Sequence, residues 1–84
     1  MTKSQHHEKP DFKTLADAWP APLVALDQKQ LDRFSGGLLN KKTLQNHISA
    51  GTGPEGLTKF GRKTAVEKYA LAMWMNRRAS GGEV

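Results

Sequence analysis

The sequence predicts a mostly helical α+β domain, small and built from three helices with a two-stranded hairpin, and three observations lead there. Two short segments, 27–36 and 40–51, each open on an Asp or Asn and close on glycine, the residue types that start and stop helices. Two β-prone runs, 57–60 and 63–66, flank Gly61-Arg62, and residues 66–75 repeat apolar side chains at helical spacing.

Residues 1–18 show no sustained period, which suggests a mobile arm or a weak helical turn, and Trp19-Pro20-Ala21-Pro22 reads as a stiff extended connector, so 1–20 is expected to be a flexible arm and connector. Leu23 to Leu26 reads as an extended piece entering the core. The first helix is expected to start at Asp27, with Gln30 reaching back to complete a capping box and Leu26 and Leu31 at the staple positions. Gly36-Gly37 stops it. Asn40 opens the second helix, 41–50, with Leu39 and Leu44 repeating the staple, and Gly51 ends it.

At about 100° per residue, Leu44, Ile48, Lys41 and His47 define the inward side of that helix. Lys42, Gln45, Asn46 and Ser49 fall on the outward side, which has neither an apolar residue nor an acid. The stretch Gly51-Thr52-Gly53-Pro54-Glu55-Gly56 is a bend. Glycine at the first central position suits a type II′ turn, so 57–66 folds as a hairpin with Lys59, Arg62 and Lys63 at or beside its tip.

The last helix, starting between 65 and 68, is expected to bury Val66, Tyr69, Ala70, Met73 and Trp74, with Leu71 and Met75 widening the stripe. Thr64 with Glu67 would form a capping box, competing with a strand role for Thr64. Ser80-Gly81-Gly82 ends order, leaving 21–79 as the folded domain and 80–84 as a disordered tail.

The formal charge of +5 on 84 residues is unevenly placed. Residues 1–36 balance five basic groups against five acidic ones, whereas 37–84 hold eight basic and three acidic. A polarised basic half is the electrostatic footprint of a polyanion binder. With no Cys, disulfides, Cys-ligated zinc and thiol nucleophiles are excluded. No signal segment or membrane-length apolar stretch is present, so a cytoplasmic, nucleoid-associated protein is expected.

Two short helices joined by a glycine-containing turn, a basic ribbon and a closing helix make the organisation of a winged helix-turn-helix. Gln45 and Asn46 carry the donor and acceptor pair that brackets adenine in the major groove; Lys42 can donate to guanine or phosphate, and Ser49 to either. Lys59, Arg62 and Lys63 can neutralise flanking phosphates, with Arg62 able to enter a minor groove. The alternative for the ribbon is edge protection by charge. His6-His7-Glu8 lacks fixed geometry for a metal, and His47 reads as a packing residue or a phosphate donor. No catalytic motif, cofactor cradle or metal site is expected.

The stretch Lys41-Lys42-Thr43-Leu44-Gln45-Asn46-His47, then Gly51-Thr52-Gly53-Pro54, then Lys59-Phe60-Gly61-Arg62-Lys63, then Leu71-Ala72-Met73-Trp74-Met75 resembles the excisionase-like, MerR-type DNA-binding domains of phage and mobile-element regulators, the AlpA-like group included. The resemblance covers roughly residues 24 to 78. It implies a recognition helix bearing Lys41, Lys42, Thr43, Gln45 and Asn46, and a wing bearing Lys59, Arg62 and Lys63. Leu71 and Trp74 then belong to the helix packed beneath. The turn from Phe34 to Asn40 is longer than that family's usual one.

The expected function is sequence-specific binding of double-stranded DNA without catalysis, as an excisionase-type architectural factor or a transcriptional regulator. Helix 41–50 would enter the major groove and wing 57–66 would lie on flanking backbone or minor groove. Expected partners are the duplex and either a second copy, a recombinase or the transcription machinery, with no membrane and no small-molecule substrate. An alternative is a protein-interaction or dimerisation module using Trp19, Phe12 and the C-terminal helix through Leu71 and Met75. RNA is disfavoured because the ribbon is expected to lack an exposed aromatic for stacking.

Overall fold

The elements run α1 (Lys13–Ala18), β1 (Leu23–Ala25), α2 (Gln28–Ser35), α3 (Lys41–Ala50), β2 (Leu57–Phe60), β3 (Lys63–Glu67) and α4 (Lys68–Gly81) in a computed structural model that describes residues 11–81. Among the described residues, four helices and a three-stranded antiparallel sheet therefore replace the expected three helices and two-stranded hairpin. The sheet order is β1-β3-β2, so β3 is central. Val24 pairs with Val66, which pairs in turn with Leu57. Val24 and Val66 are fully buried beneath the helices.

Of the two readings of the N-terminal segment, mobile arm or weak helical turn, the described residues 11–20 take the helical one, as the docked helix α1 in place of a flexible arm. It packs on α4: the Phe12 N–H donates to Asn76 Oδ1 at 2.8 Å, Tyr69 Oη donates to Asp17 at 2.7 Å, and Ala16 is fully buried. The connector is held as well, since Trp19 Nε1 donates to the Leu23 carbonyl at 2.9 Å and its ring meets Phe34 edge-on at 5.6 Å. Six residues are too few for a hydrophobic period to declare itself; α1 is made by what it docks on.

Helix α2 begins where expected, but the Asp27 side chain makes no capping hydrogen bond. Gln30 turns instead to the Ala25 N–H at 3.4 Å. Asn40 behaves as expected, its Oδ1 accepting from the Thr43 N–H at 3.0 Å. The hairpin turn also matches. Gly61 has φ 64° and no other residue type among the described ones has positive φ, so the first central position alone needs the left-handed region, as type II′ requires.

Thr64 is a strand residue, paired with Lys59. Glu67 alone caps α4, its carboxylate accepting from the Ala70 N–H at 2.9 Å. The buried stripe of α4 is therefore Leu71, Ala72, Trp74 and Met75, while Met73 is 57% exposed and Tyr69 lies at the surface. The expected stripe was phased from Val66, which belongs to β3, so its helical register started too early. Ser80 and Gly81 extend α4 into the expected tail; residues 82–84 lie outside the described residues. No described helix is long and apolar enough to cross a membrane.

Candidate nucleic-acid interface

Helix α3 owes its two faces to its sequence. Leu44 is buried, Ile48, Lys41 and His47 are half-buried, and Lys42, Thr43, Gln45, Asn46 and Ser49 are exposed. The inward set grips the core and leaves a polar outward arc that no side chain of the core needs.

Two polar residues that the sequence did not single out fix α3 against α2. The Gln28 side-chain amide donates to the Leu39 carbonyl at 3.0 Å and to Asp32 at 2.8 Å, while its oxygen accepts from the Lys41 N–H at 2.8 Å. Ser35 is buried; its hydroxyl donates to the Leu31 carbonyl at 2.6 Å and accepts from the Leu39 N–H at 3.0 Å. The turn from Ser35 to Asn40 is thus braced at both ends. A buried backbone group left without a partner is costly, so these contacts set where α3 starts. Their partners lie in the turn itself, which no periodicity reports.

At its other end α3 is held by the bend. A side chain added at Gly53 would meet Ile48 Cγ1 at 2.8 Å and Ile48 Cα at 3.0 Å, so the loop passes against the helix only because this residue has no Cβ. That approach carries the hairpin alongside α3. A cleft of about 440 Å³ results, lined by Leu26, Gln45, Asn46, Ile48, Ser49, Leu57, Lys59 and Thr64. Leu26, Ile48 and Leu57 lie among its polar residues.

The structure brings together Gln45, Asn46, Ser49 and Lys59. Lys42 is exposed on the same arc of α3, one turn towards its start, and Arg62 and Lys63 stand exposed at the hairpin end. Thr43 goes elsewhere: it lines a separate cavity of about 380 Å³ between α3 and α4, with Leu44, His47 and Trp74. Its position on the helix, about a third of a turn round from Ser49 and nearly half a turn round from Gln45, puts it on the far flank. Lys41 is half-buried beside Gln28.

Neither α3 nor residues 57–66 of the hairpin contain an acidic residue; Glu67, at the far end of β3 from the turn, is engaged at the start of α4. Among the described residues, the one ion pair is Lys13 with Asp17 at 3.6 Å, on α1. The cations bordering the cleft therefore face outward with their charge uncompensated by ion pairing. His47 is a packing residue: its ring meets Trp74 edge-on at 5.4 Å and its Nδ1 bonds Thr52 Oγ1 at 2.9 Å. Trp74 Nε1 donates to the Thr52 carbonyl at 2.8 Å, tying the bend to α4.

The residues expected for a protein-docking face are spent internally. Leu71 and Met75 are buried, and Trp19 and Phe12 pack against the core. The expectation that the ribbon shows no aromatic is overturned by Phe60, which is 86% exposed at the end of β2. Strand alternation alone cannot tell the end of a ribbon from its covered middle. His6, His7 and Glu8 lie outside the described residues. Comparison of the chain with protein-family models, curated proteins and solved structures finds no match.

Proposed function

We propose that this chain is a winged helix-turn-helix protein that binds double-stranded DNA sequence-specifically, in the cytoplasm at the nucleoid, as an excisionase-type architectural factor or a transcriptional regulator. One observation carries the reading. The outward arc of α3 and the basic hairpin meet along a single cleft, with hydrogen-bonding side chains on one wall, Lys59 on the other, and Lys42, Arg62 and Lys63 around it.

A duplex reader needs side chains that match base edges and cations that anchor phosphate, held at a fixed spacing. Gln45 and Asn46 supply the amide pairs that suit adenine, with Ser49 beside them. Lys42, Lys59, Arg62 and Lys63 supply the anchors. The role needs no cofactor, metal or small-molecule substrate; a second copy, a recombinase or the transcription machinery would be met on the DNA. The departure of Thr43 to the far flank removes it from the base-reading set.

The test is duplex binding as a function of salt, using sites selected by the full chain from a random-sequence pool. The logarithm of affinity should fall with the logarithm of salt by about 0.9 per phosphate neutralised. Gln45→Ala or Asn46→Ala should cost about 1–3 kcal/mol against the selected site and relax preference at one position, whereas Arg62→Ala should weaken all duplexes alike and lower the salt slope by about one. Affinity indifferent to salt, or no duplex binding at low salt, would overturn the proposal.

A further inference from the structure

Phe60 is the residue the fold accounts for least. It ends β2, faces Lys63 across the ladder, and precedes the Gly61-Arg62 turn. Side chains alternate along a strand, so Leu57 and Lys59 turn towards α3 and line the cleft, while Thr58 and Phe60 take the other face. The ring is neither part of the core nor part of the cleft lining. It stands 86% exposed at the projecting end of the ribbon.

Its surroundings say what it meets. Residues 57–66 carry three cations and no acid, all three of them beside the ring in sequence or across the turn. The occupant of this tip is therefore anionic on its outside and offers flat apolar faces within. A base-pair step between two phosphate backbones has both properties, and apolar side chains are known to wedge into such steps from the minor groove. A strand edge of a second copy would bring the same positive charge against itself, and a single ring has too little apolar area to hold a lipid surface.

We propose that Phe60 is a wedge that enters the minor groove next to the one occupied by α3, partly unstacks one base step and bends the duplex, while Arg62 and Lys63 hold the phosphates on either side. The inference rests on the duplex-binding reading above. Flexible pyrimidine–purine steps deform most easily, so the selected sites should carry such a step at a fixed distance from the bases read by Gln45 and Asn46. Specificity would then extend to positions that no side chain contacts by hydrogen bonding.

The experiment uses the full chain on duplexes selected by it, with 2-aminopurine placed in turn at each step of the footprint and a dye pair at the two ends. The wild type should raise 2-aminopurine fluorescence at one step and bring the dyes closer. Phe60→Ala should abolish both signals and weaken binding about tenfold, with thermal stability unchanged because the ring is exposed. Phe60→Leu, which keeps an apolar wedge, should retain part of each. A wild type that binds duplex while Phe60→Ala keeps the same fluorescence, bend and affinity would overturn the wedge and leave the duplex reading standing. No duplex binding by the wild type, or tighter binding to single strands, would overturn both. Loss in Phe60→Ala of self-association, or of binding to phosphatidylserine vesicles, with DNA signals intact would assign the ring to those partners instead.

Discussion

The α1–α4 seam and the α3–hairpin cleft use much the same side-chain chemistry to opposite ends. At the seam, Asp11 and Asn76, Asp17 and Tyr69, and Lys68 and the Trp19 carbonyl are bonded to one another. Lys13 and Lys68 also lie 5.9 Å and 5.2 Å from the Tyr69 ring centre. Charges there come in both signs and satisfy each other. Along the cleft, Lys42, Lys59, Arg62 and Lys63 have no acid on either wall, and among the described residues Gln45, Asn46 and Ser49 make no side-chain hydrogen bond. Polar groups that close on themselves maintain the fold, and polar groups left open are available to something outside it.

Trp74 lies between the two regions, and its removal should have the largest effect. The ring touches His47 on α3, its Nε1 holds the bend through Thr52, and Arg78 covers it at 5.6 Å. Trp74→Ala should cost roughly 3–5 kcal/mol in urea unfolding, a large part of what a domain this size has. Because it joins seam to cleft, the loss should be accompanied by weakened duplex binding even where the protein is still folded. A loss below about 1 kcal/mol would mean that α4 does not hold the bend in place.

Asn76→Ala separates the regions more finely. It strips the Phe12 N–H of its acceptor and Asp11 of a donor, and should cost about 1 kcal/mol of stability. Duplex affinity of the folded protein should not change. Gln45→Ala is the mirror image: unfolding within about 0.5 kcal/mol of wild type, with base preference altered. Equal effects of both variants on both measurements would erase the distinction between seam and cleft.

What could be foreseen divides along a related line. Local chemistry was legible: Asn40 caps α3, glycine ends α2 and α3, Gly61 sets the turn, and the polar arc of α3 points outward. Contacts between distant parts of the chain were not. Strand β1 exists because Val24 meets Val66, a pairing that three residues cannot announce. Helix α1 exists because Asn76 and Tyr69 wait for it. The phase of α4 differs from the expected one because Val66 belongs to the strand before it, and no capping box closes at Asp27: its side chain makes no cap bond, its N–H donates to the Ala25 carbonyl, and Gln30 accepts from the Ala25 N–H. At the site, the type of residue is readable but its neighbourhood is not, so the sequence sets Thr43 beside Gln45 and does not mark Phe60 as exposed.

The smallest effect is expected at the exposed titrating pair of the seam, Asp17 and Tyr69. The Tyr69 hydroxyl donates to Asp17, and this bond, with Lys13 and Lys68 nearby, holds the Asp17 carboxyl below the usual carboxylate range. The same bond pushes the Tyr69 hydroxyl above its ordinary value. A carboxyl with a lowered folded pKa contributes stability above its unfolded pKa and loses it as pH falls through the folded one. The raised Tyr69 works the other way, contributing below its ordinary pKa and losing it as pH climbs through the raised value. Thermal melting of the wild type should therefore drop on both the acid and the strongly alkaline sides, relative to Tyr69→Phe, with the two proteins closest at the extremes. Since the pair is solvent-exposed and screened, the difference should be small and the Lys13 part of it should fade in salt. A Tyr69→Phe profile parallel to wild type from acid to alkali would show that the bond contributes nothing to closing the seam.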